Sequence, residues 1–192
     1  MKTGITTLVS TSTRNLLCLA LLGSLAVSAP LFAADGGDSG HVHDQAVSAK
    51  LVHKLQTQLS QFTDVNNAGY AGYAPAFGCV TGPDHGAMGI HYINGGLVGD
   101  GEIVLSQPEA LIYEPVGKLR RLVGVEYIVD AETWLTNHNN TPPTLEGQAF
   151  QFVGAPNRFG IPSFFELHVW AWRNNPNGAF VDWNNNVTCE GQ

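Results

Sequence analysis

Two histidines and three glutamates are the residues of this chain whose types and spacing suggest chemistry. They lie at His91, Glu114, Glu126, Glu166 and His168, each within an otherwise apolar, strand-like run. Side chains alternate between the two faces of a β-strand, so Glu166 and His168 share one face with Trp170 and Trp172. This face either faces solvent or lines a cavity, and two indoles beside an imidazole are costly to leave in water.

The other polar residues also have apolar neighbours on their own strand faces. Alternation places Glu126 on one face with Leu122, Gly124 and Ile128. It places Glu114 with Ala110, Ile112 and Val116, and His91 beside Gly89 and Ile93. A sheet that curls toward these faces would gather the five residues around one cavity, with His85 near the strand entrance. Buried carboxylates need partners, and imidazole with carboxylate is the ligand set of Zn, Mn or non-haem Fe.

A divalent metal site with His91, His168, Glu126 and His85 as candidate ligands is therefore one hypothesis, and the cofactor itself stays unassigned. In an enzyme, a metal-dependent hydrolase or oxygenase, Glu166 or Glu114 would act as the acid or base, while Trp170 and Trp172 would contact a ligand. The spacing matches no specific metal motif such as HExxH. Two alternatives stay open: a strand histidine paired with a glutamate as a structural polar pair, and metal-free ligand binding or acid–base chemistry by the same groups.

One amphipathic helix and several strands must position these residues. Val47, Leu51, Leu55 and Leu59 recur at four-residue steps, which predicts a helix from Asp44, its N-cap, to about Phe62. Residues 66–87 read as a Gly-, Tyr- and Pro-rich loop.

Strands are predicted at Met88–Ile93, Ala110–Val116, Leu119–Val129 and Phe164–Trp172, with weaker ones at Gly147–Val153 and Ala179–Trp183. Strands that follow one another without intervening helices favour a meander-like antiparallel sheet. The predicted fold class is α+β: one N-terminal amphipathic helix packed on a curved antiparallel β-sheet or partly closed barrel.

The first residues have the pattern of an export signal. Lys2 and Arg14 precede an apolar run over residues 16–22, and small residues follow up to residue 34. We therefore expect a signal peptide over 1–34, a flexible lead-in over 35–43 and a single domain over 44–192, located in the periplasm or secreted. The apolar run is shorter than the roughly 20 residues of a membrane span, so no membrane association is expected after the signal is removed.

The net charge of the chain after removal of the signal limits which macromolecules it can bind. Removal of residues 1–34 takes two of the nine basic residues and none of the sixteen acidic ones, which leaves a net charge of −9. Such a surface repels phosphate backbones, so nucleic acid is not an expected partner.

Removal of Cys18 leaves Cys79 and Cys189, which we predict to form a disulfide in an oxidising compartment.

Several sequence blocks resemble a family of exported bacterial proteins whose function is uncharacterised. They are GAMGIHY at 86–92, PEALIYEP at 108–115, LVGVEYIV at 122–129, ELHVWAW at 166–172, NPNGAF at 175–180, DWN at 182–184 and the terminal Cys189. The resemblance spans about residues 79–189. It implies a bacterial periplasmic or secreted setting, and no activity or cofactor.

The sequence thus predicts an exported domain that binds a small molecule or a metal ion. A metal-dependent hydrolase or oxygenase with a His/Glu site is one alternative, and a structural or interaction protein without a ligand is the other.

Overall fold

A computed structural model describes residues 39–82 and 85–190, with side chains from residue 48 onward. The predicted signal peptide and residues 35–38 of the predicted lead-in lie outside the described residues.

The described elements comprise helices, short and long, and strands. They are α1 (Ser39–Gln58), a 3₁₀ helix (Ser60–Thr63), α2 (Val65–Tyr70), β1 (Ala74–Gly82), β2 (Gly86–Ile93), α3 (Gly95–Val98), β3 (Ala110–Val116), β4 (Leu119–Asp130), α4 (Ala131–Asn137), β5 (Thr144–Leu145), β6 (Gln148–Ala149), β7 (Gln151–Val153) and β8 (Phe164–Val169).

Six strands form one curled antiparallel sheet, and the α+β prediction is confirmed. The strand order is β1-β2-β3-β4-β8-β7, while β5 and β6 form a separate two-stranded ribbon. Strands β2, β3 and β4 are neighbours in chain order: a tight turn at 117–118 joins β3 to β4, and residues 94–109, which include α3, join β2 to β3. Strand β8 then returns to pair with β4, which places the central strand β4 between β3 and β8.

One face of the sheet packs on the N-terminal helix. Leu51, Leu55 and Leu59 are each at most 1% exposed and belong to the same apolar cluster as Tyr113 and Tyr127. The four-residue spacing of the leucines puts them on one side of α1, so the helix covers the sheet as predicted.

The opposite face carries two smaller apolar clusters. One contains Ile112, Val123 and Trp170 and is joined by Val187 from the C-terminal segment. The other contains Ala110, Ile128 and Phe164 and is joined by Phe159 from the loop before β8. The residues of chemical interest belong to this face, under the loop and the C-terminal segment.

A β-bulge corrects one predicted strand face. Ile112 pairs with Gly124 but Tyr113 pairs with Leu122, so Val123 is an extra residue in β4. Leu122 therefore belongs to the helix-side cluster with Tyr113 rather than sharing a face with Glu126.

The predicted loop over 66–87 is wrong in large part, since residues 66–70 belong to α2 and residues 74–82 form β1. Strand β1 lies at the sheet edge and most of its side chains are exposed, so it lacks the apolar alternation that identifies a strand. Proline is tolerated there because an edge strand can leave one side of its backbone unpaired, as at Pro75.

Other predicted boundaries also change. Helix α1 begins at Ser39, so Asp44 lies inside it and is not its N-cap, and the helix ends at Gln58 before the 3₁₀ helix. The weak strand at Gly147–Val153 is split into β6 and β7, and β8 ends at Val169. Residues 179–183 form no strand. They hydrogen-bond to the end of β8 instead, with the Trp170 amide donating to the Ala179 carbonyl at 2.9 Å.

The predicted disulfide between Cys79 and Cys189 is confirmed. It joins β1 to the C-terminal segment across a sequence separation of 110 residues. Among the described residues, no helix combines the length and the apolar character that crossing a membrane requires.

Candidate metal centre

Strand register brings two predicted site residues directly opposite each other. Glu126 on β4 pairs with His168 on β8, and Glu166 pairs with Ile128 two residues farther along. On the other side of β4, Ala110 pairs with both Glu126 and Ile93, which puts His91 within reach of Glu126 across β3. Directly opposed or diagonal residues on one sheet face are close enough for side-chain contact.

The side chains of His91, Glu126 and His168 converge at a buried point. His91 Nε2 lies 3.3 Å from Glu126 Oε2, and His168 Nδ1 lies 3.9 Å from Glu126 Oε1. One ligand atom from each of the three residues falls within 4.8 Å of the others. All three residues are at most 4% exposed.

Asp182 is a member of the site that the strand pattern did not predict. Its Oδ1 lies 3.8 Å from His168 Nδ1, and Glu166, His168 and Asp182 form a second group of ligand atoms within 4.8 Å of one another. Gln151 on β7 donates to the same carboxylate at 2.8 Å. Asp182 reaches the site because the C-terminal segment folds back on β8. The only sequence signal was an acidic residue in a Trp- and Asn-rich segment, which is too general to identify a ligand.

The imidazole of His168 is buried at this site without a hydrogen-bond partner. It is 1% exposed, yet neither Nδ1 nor Nε2 has a hydrogen-bond partner. The carboxylate oxygens of Glu126 and Asp182 face Nδ1 from 3.9 and 3.8 Å, beyond hydrogen-bonding distance. A buried polar group without a partner is destabilising, and such exceptions call for a specific cause.

Both histidines are neutral at physiological pH. Burial lowers the pKa of His168 to about 3, and burial together with the neighbouring His168 lowers the pKa of His91 to about 3. A neutral imidazole presents a free lone pair, which is the form that ligates a metal ion.

The carboxylates shift in the opposite direction. Burial, followed by the charge of Glu166, raises the pKa of Glu126 well above its ordinary value, and burial also raises the pKa of Glu166. The two carboxyl groups are close enough to share a hydrogen bond when one of them keeps its proton. Burial likewise raises the pKa of Asp182. Two buried carboxyl groups with a third, partly exposed one beside them favour either a retained proton or a bound cation.

The donor set fits a divalent transition metal. Imidazole nitrogen with carboxylate oxygen suits Zn, Mn or Fe, and two ligands about 2.1 Å from one ion lie roughly 3.4 Å apart at a tetrahedral angle. The separation of 3.3 Å between His91 Nε2 and Glu126 Oε2 already matches that value. His168 Nδ1, 3.9 Å from Glu126 Oε1, would have to approach by roughly 0.5 Å to reach the same separation.

A cavity of about 40 Å³ opens beside His91 and Glu126. A water molecule needs roughly 10–15 Å³ of such volume, so the cavity has room for an ion's water ligands but not for a large substrate. The rest of its lining is apolar and includes Phe77, Phe159 and Ile161.

Glu114, a predicted acid or base, lies outside this cluster. It pairs with Arg121 near the β3–β4 turn, four residues along β3 from the partner of Glu126. Its side chain accepts from the Thr188 amide at 3.2 Å and from Arg121 Nη1 at 3.4 Å. Glu114 therefore connects the C-terminal segment to the sheet by a hydrogen bond.

The remaining predicted residues divide between the site and other locations. His85 is exposed just before β2 and belongs to neither group of ligand atoms. Trp170 lies beside His168, with ring centroids 6.2 Å apart, and donates from Nε1 to the Val181 carbonyl at 2.6 Å. Trp172 packs on the helix-side cluster, because β8 ends at Val169 and strand alternation ends with it.

Glu109 is a buried carboxyl that the strand-face argument did not select. It is 1% exposed and accepts from the Ile128 amide at 2.9 Å. Burial raises its pKa to about 8. It lies one residue before β3, where no alternation pattern assigns it to a face.

No protein-family model, curated protein or solved structure matches this chain.

Proposed function

We propose that this chain is an exported domain that binds one divalent transition metal ion, Zn, Mn or Fe, through His91, Glu126 and His168. Asp182 completes the ligand set from the C-terminal segment, and Glu166 supports Glu126 by a hydrogen bond. A carboxylate that binds a metal is usually hydrogen-bonded to an outer residue, which fixes its orientation.

One observation carries the proposal. His168 is 1% exposed, has no hydrogen bond at either ring nitrogen, and directs Nδ1 between two carboxylates 3.8 and 3.9 Å away. A structural His–Glu pair would instead place a nitrogen at hydrogen-bonding distance from a carboxylate oxygen. A metal ion at this point would satisfy Nδ1 of the imidazole and both carboxylates at once.

Export is the second part of the proposal. The basic and apolar pattern of the first 34 residues supports it, and so does the disulfide, since disulfides persist mainly in oxidising compartments. The resemblance to exported bacterial proteins favours a periplasmic or secreted location.

The metal test compares wild type with His168→Gln and with His53→Ala, which removes an exposed histidine of α1. Protein expressed in metal-supplemented medium and purified without chelator should hold about one Zn, Mn or Fe per chain, measured by elemental analysis. His168→Gln should lose that metal, and His53→Ala should keep it. A wild-type protein without metal, or equal metal content in all three, would reject the proposal in favour of a structural polar cluster.

A metal-dependent hydrolase or oxygenase is the second candidate, and the position of Glu166 favours it. This carboxyl is 3% exposed, adjoins the ligand Glu126, and has a pKa that burial raises toward neutrality. A carboxyl of that kind can hold a proton beside a metal-bound water and return it. Glu166→Gln that retains metal but abolishes turnover of a hydrolysed ester would support this candidate, and unchanged turnover would remove it.

A further inference from the structure

We propose that the metal centre takes a small, mainly apolar ligand that carries a single neutral nitrogen or oxygen donor. The donor would complete the coordination of the ion, and the apolar body would lie between Phe77, Phe159 and Ile161. This inference rests on the proposed metal-binding function and names the class of ligand that the same site accepts.

The cavity beside the centre joins polar and apolar walls. His91 and Glu126 form its polar end, and six aromatic or aliphatic side chains form the remainder. Those six side chains offer no hydrogen-bond donor or acceptor. A ligand with several polar groups would therefore have some of its own polar groups buried without a partner. A ligand with one polar end and an apolar body matches both walls.

The mouth of the cavity exposes apolar surface. Phe77 is 55% exposed and Ile161 is 38% exposed. The rings of Phe77 and Phe159 have centroids 5.3 Å apart, so the two aromatics form one continuous patch over the cavity. A bound apolar body would remove part of that patch from water, which favours binding in proportion to its length.

The backbone holds Phe77 over the cavity in an unusual conformation. Its φ is 61°, in the left-handed region that bulky residues rarely adopt, and Gly78 follows with φ 65°. Both residues lie in the bulge of β1 between Ala76 and Cys79, and Cys79 is fixed to the C-terminal segment by the disulfide. Bulges often redirect a side chain next to a functional site, and strained residues concentrate at such sites.

Charge selects a neutral donor. A divalent ion here would face three carboxyl groups, those of Asp182, Glu126 and Glu166. An anionic ligand would bring a further negative charge beside them, whereas a neutral donor would not.

The test uses the full-length protein loaded with Co²⁺, whose visible absorption reports changes in coordination. The probes are 1-methylimidazole and 1-butylimidazole, which share one neutral nitrogen donor and differ in the length of the chain that points away from it. The spectral titration should show 1-butylimidazole binding about tenfold more tightly than 1-methylimidazole, because its extra methylenes leave water.

Two variants test whether the preference for the butyl chain depends on Phe77. Phe77→Gly removes the ring while tolerating the positive φ, and it should reduce the preference for the butyl chain to about twofold or less. Phe152→Gly removes another exposed phenylalanine, one that contacts Phe165 of the helix-side cluster, and it should leave the preference unchanged.

The possible failures are distinguishable. If the protein shows no Co²⁺ spectrum, the proposed metal function and this inference are both overturned. If Co²⁺ binds but neither imidazole alters its spectrum, or both bind equally, the apolar ligand alone is overturned. Equal loss of preference in Phe77→Gly and Phe152→Gly would also overturn it.

Discussion

At the scale of single residues, Glu114 and Glu126 show how similar surroundings can serve different purposes. Both are buried glutamates on neighbouring strands, but Glu126 faces two histidines while Glu114 accepts from Thr188 and Arg121. Strand alternation assigns residues to a face, and it does not say how far along that face they lie. The difference between the two therefore depends on register and on the C-terminal segment.

The two glutamates provide a matched pair of variants. Glu126→Gln should weaken metal binding by more than the roughly 10- to 100-fold typical of a residue that only supports a ligand. Glu114→Gln keeps a carbonyl acceptor for the Thr188 amide and should leave the affinity unchanged. Competition titration with a chromogenic chelator measures both. An equal loss in the two variants would indicate a general effect of the fold rather than ligation by Glu126.

Glu109 predicts a pH dependence of stability. Its pKa is about 8 in the folded protein against 4.5 for the ordinary side chain, so the unfolded chain ionises first. Between these two pH values the unfolded state binds fewer protons than the folded state, and the contribution of Glu109 to the free energy of unfolding falls as pH rises. The loss is fully developed above the folded pKa and absent below the unfolded one.

Glu109→Gln should abolish this contribution while it preserves an acceptor for the Ile128 amide. In chelator, urea unfolding should find the variant stabilised relative to wild type by about 2 to 4 kcal/mol more at pH 8 than at pH 5. Glu102→Gln changes an exposed glutamate and serves as the control. A constant difference between Glu109→Gln and wild type at all pH values would contradict the burial argument.

At the scale of elements, α1 is predicted to be an integral part of the core. Leu55 is fully buried at its centre. Leu55→Asp should unfold the domain or lower its free energy of unfolding by several kcal/mol, about the cost of burying an unpaired charge. Gln58→Asp places the same side chain at an exposed position of the same helix and should change stability little. Thermal melts of the two variants with equal midpoints would show that α1 is not part of the core.

Elements with strong apolar periodicity could be predicted from the sequence, and those without it could not. Strand β3 is found at its predicted bounds and β4 within one residue, because both have buried, nearly uninterrupted apolar runs. Strand β1 is mostly exposed and interrupted by a bulge, so its residues have no alternation to detect. Helix α4, capped by Asp130 through the Thr133 amide, also lacked an apolar stripe long enough to identify.

The residues of the candidate site also divide into those that the sequence pattern could predict and those that it could not. His91, Glu126, Glu166 and His168 were predicted to converge because each lies on a regular strand. Asp182 lies on an irregular segment whose position depends on contacts with the end of β8, and Trp172 follows the residue where that strand ends. Sequence periodicity carries information about regular elements, and the contributions of irregular segments depend on tertiary contacts.

At the scale of the whole molecule, the C-terminal segment closes both the fold and the site. It supplies Val187 to an apolar cluster, Asp182 to the candidate ligands and Cys189 to the disulfide. Asn184 exchanges two backbone hydrogen bonds of 3.2 Å with Ala87, next to Gly86, where an added Cβ would collide with the Asn184 carbonyl. The same segment therefore couples stability to ligand geometry.

The disulfide should contribute strongly to stability because it closes a long loop. For a separation of 110 residues, chain-entropy estimates give about 4 to 5 kcal/mol. The double variant Cys79→Ser with Cys189→Ser should lose a large part of that free energy of unfolding, measured by urea denaturation. Thiol titration of the unfolded, unreduced protein processed at residue 34 should detect no free thiol. Two free thiols per chain would contradict the cross-link.

The central claim is that His91, Glu126 and His168 hold one metal ion, and anomalous X-ray diffraction tests it most directly. Crystals grown with Zn²⁺ and measured on both sides of the zinc absorption edge should show a peak about 2.1 Å from His91 Nε2 and from His168 Nδ1, with a Glu126 oxygen at a similar distance. A map with no peak at this cluster, or with zinc only at exposed histidines such as His53 or His85, would contradict it.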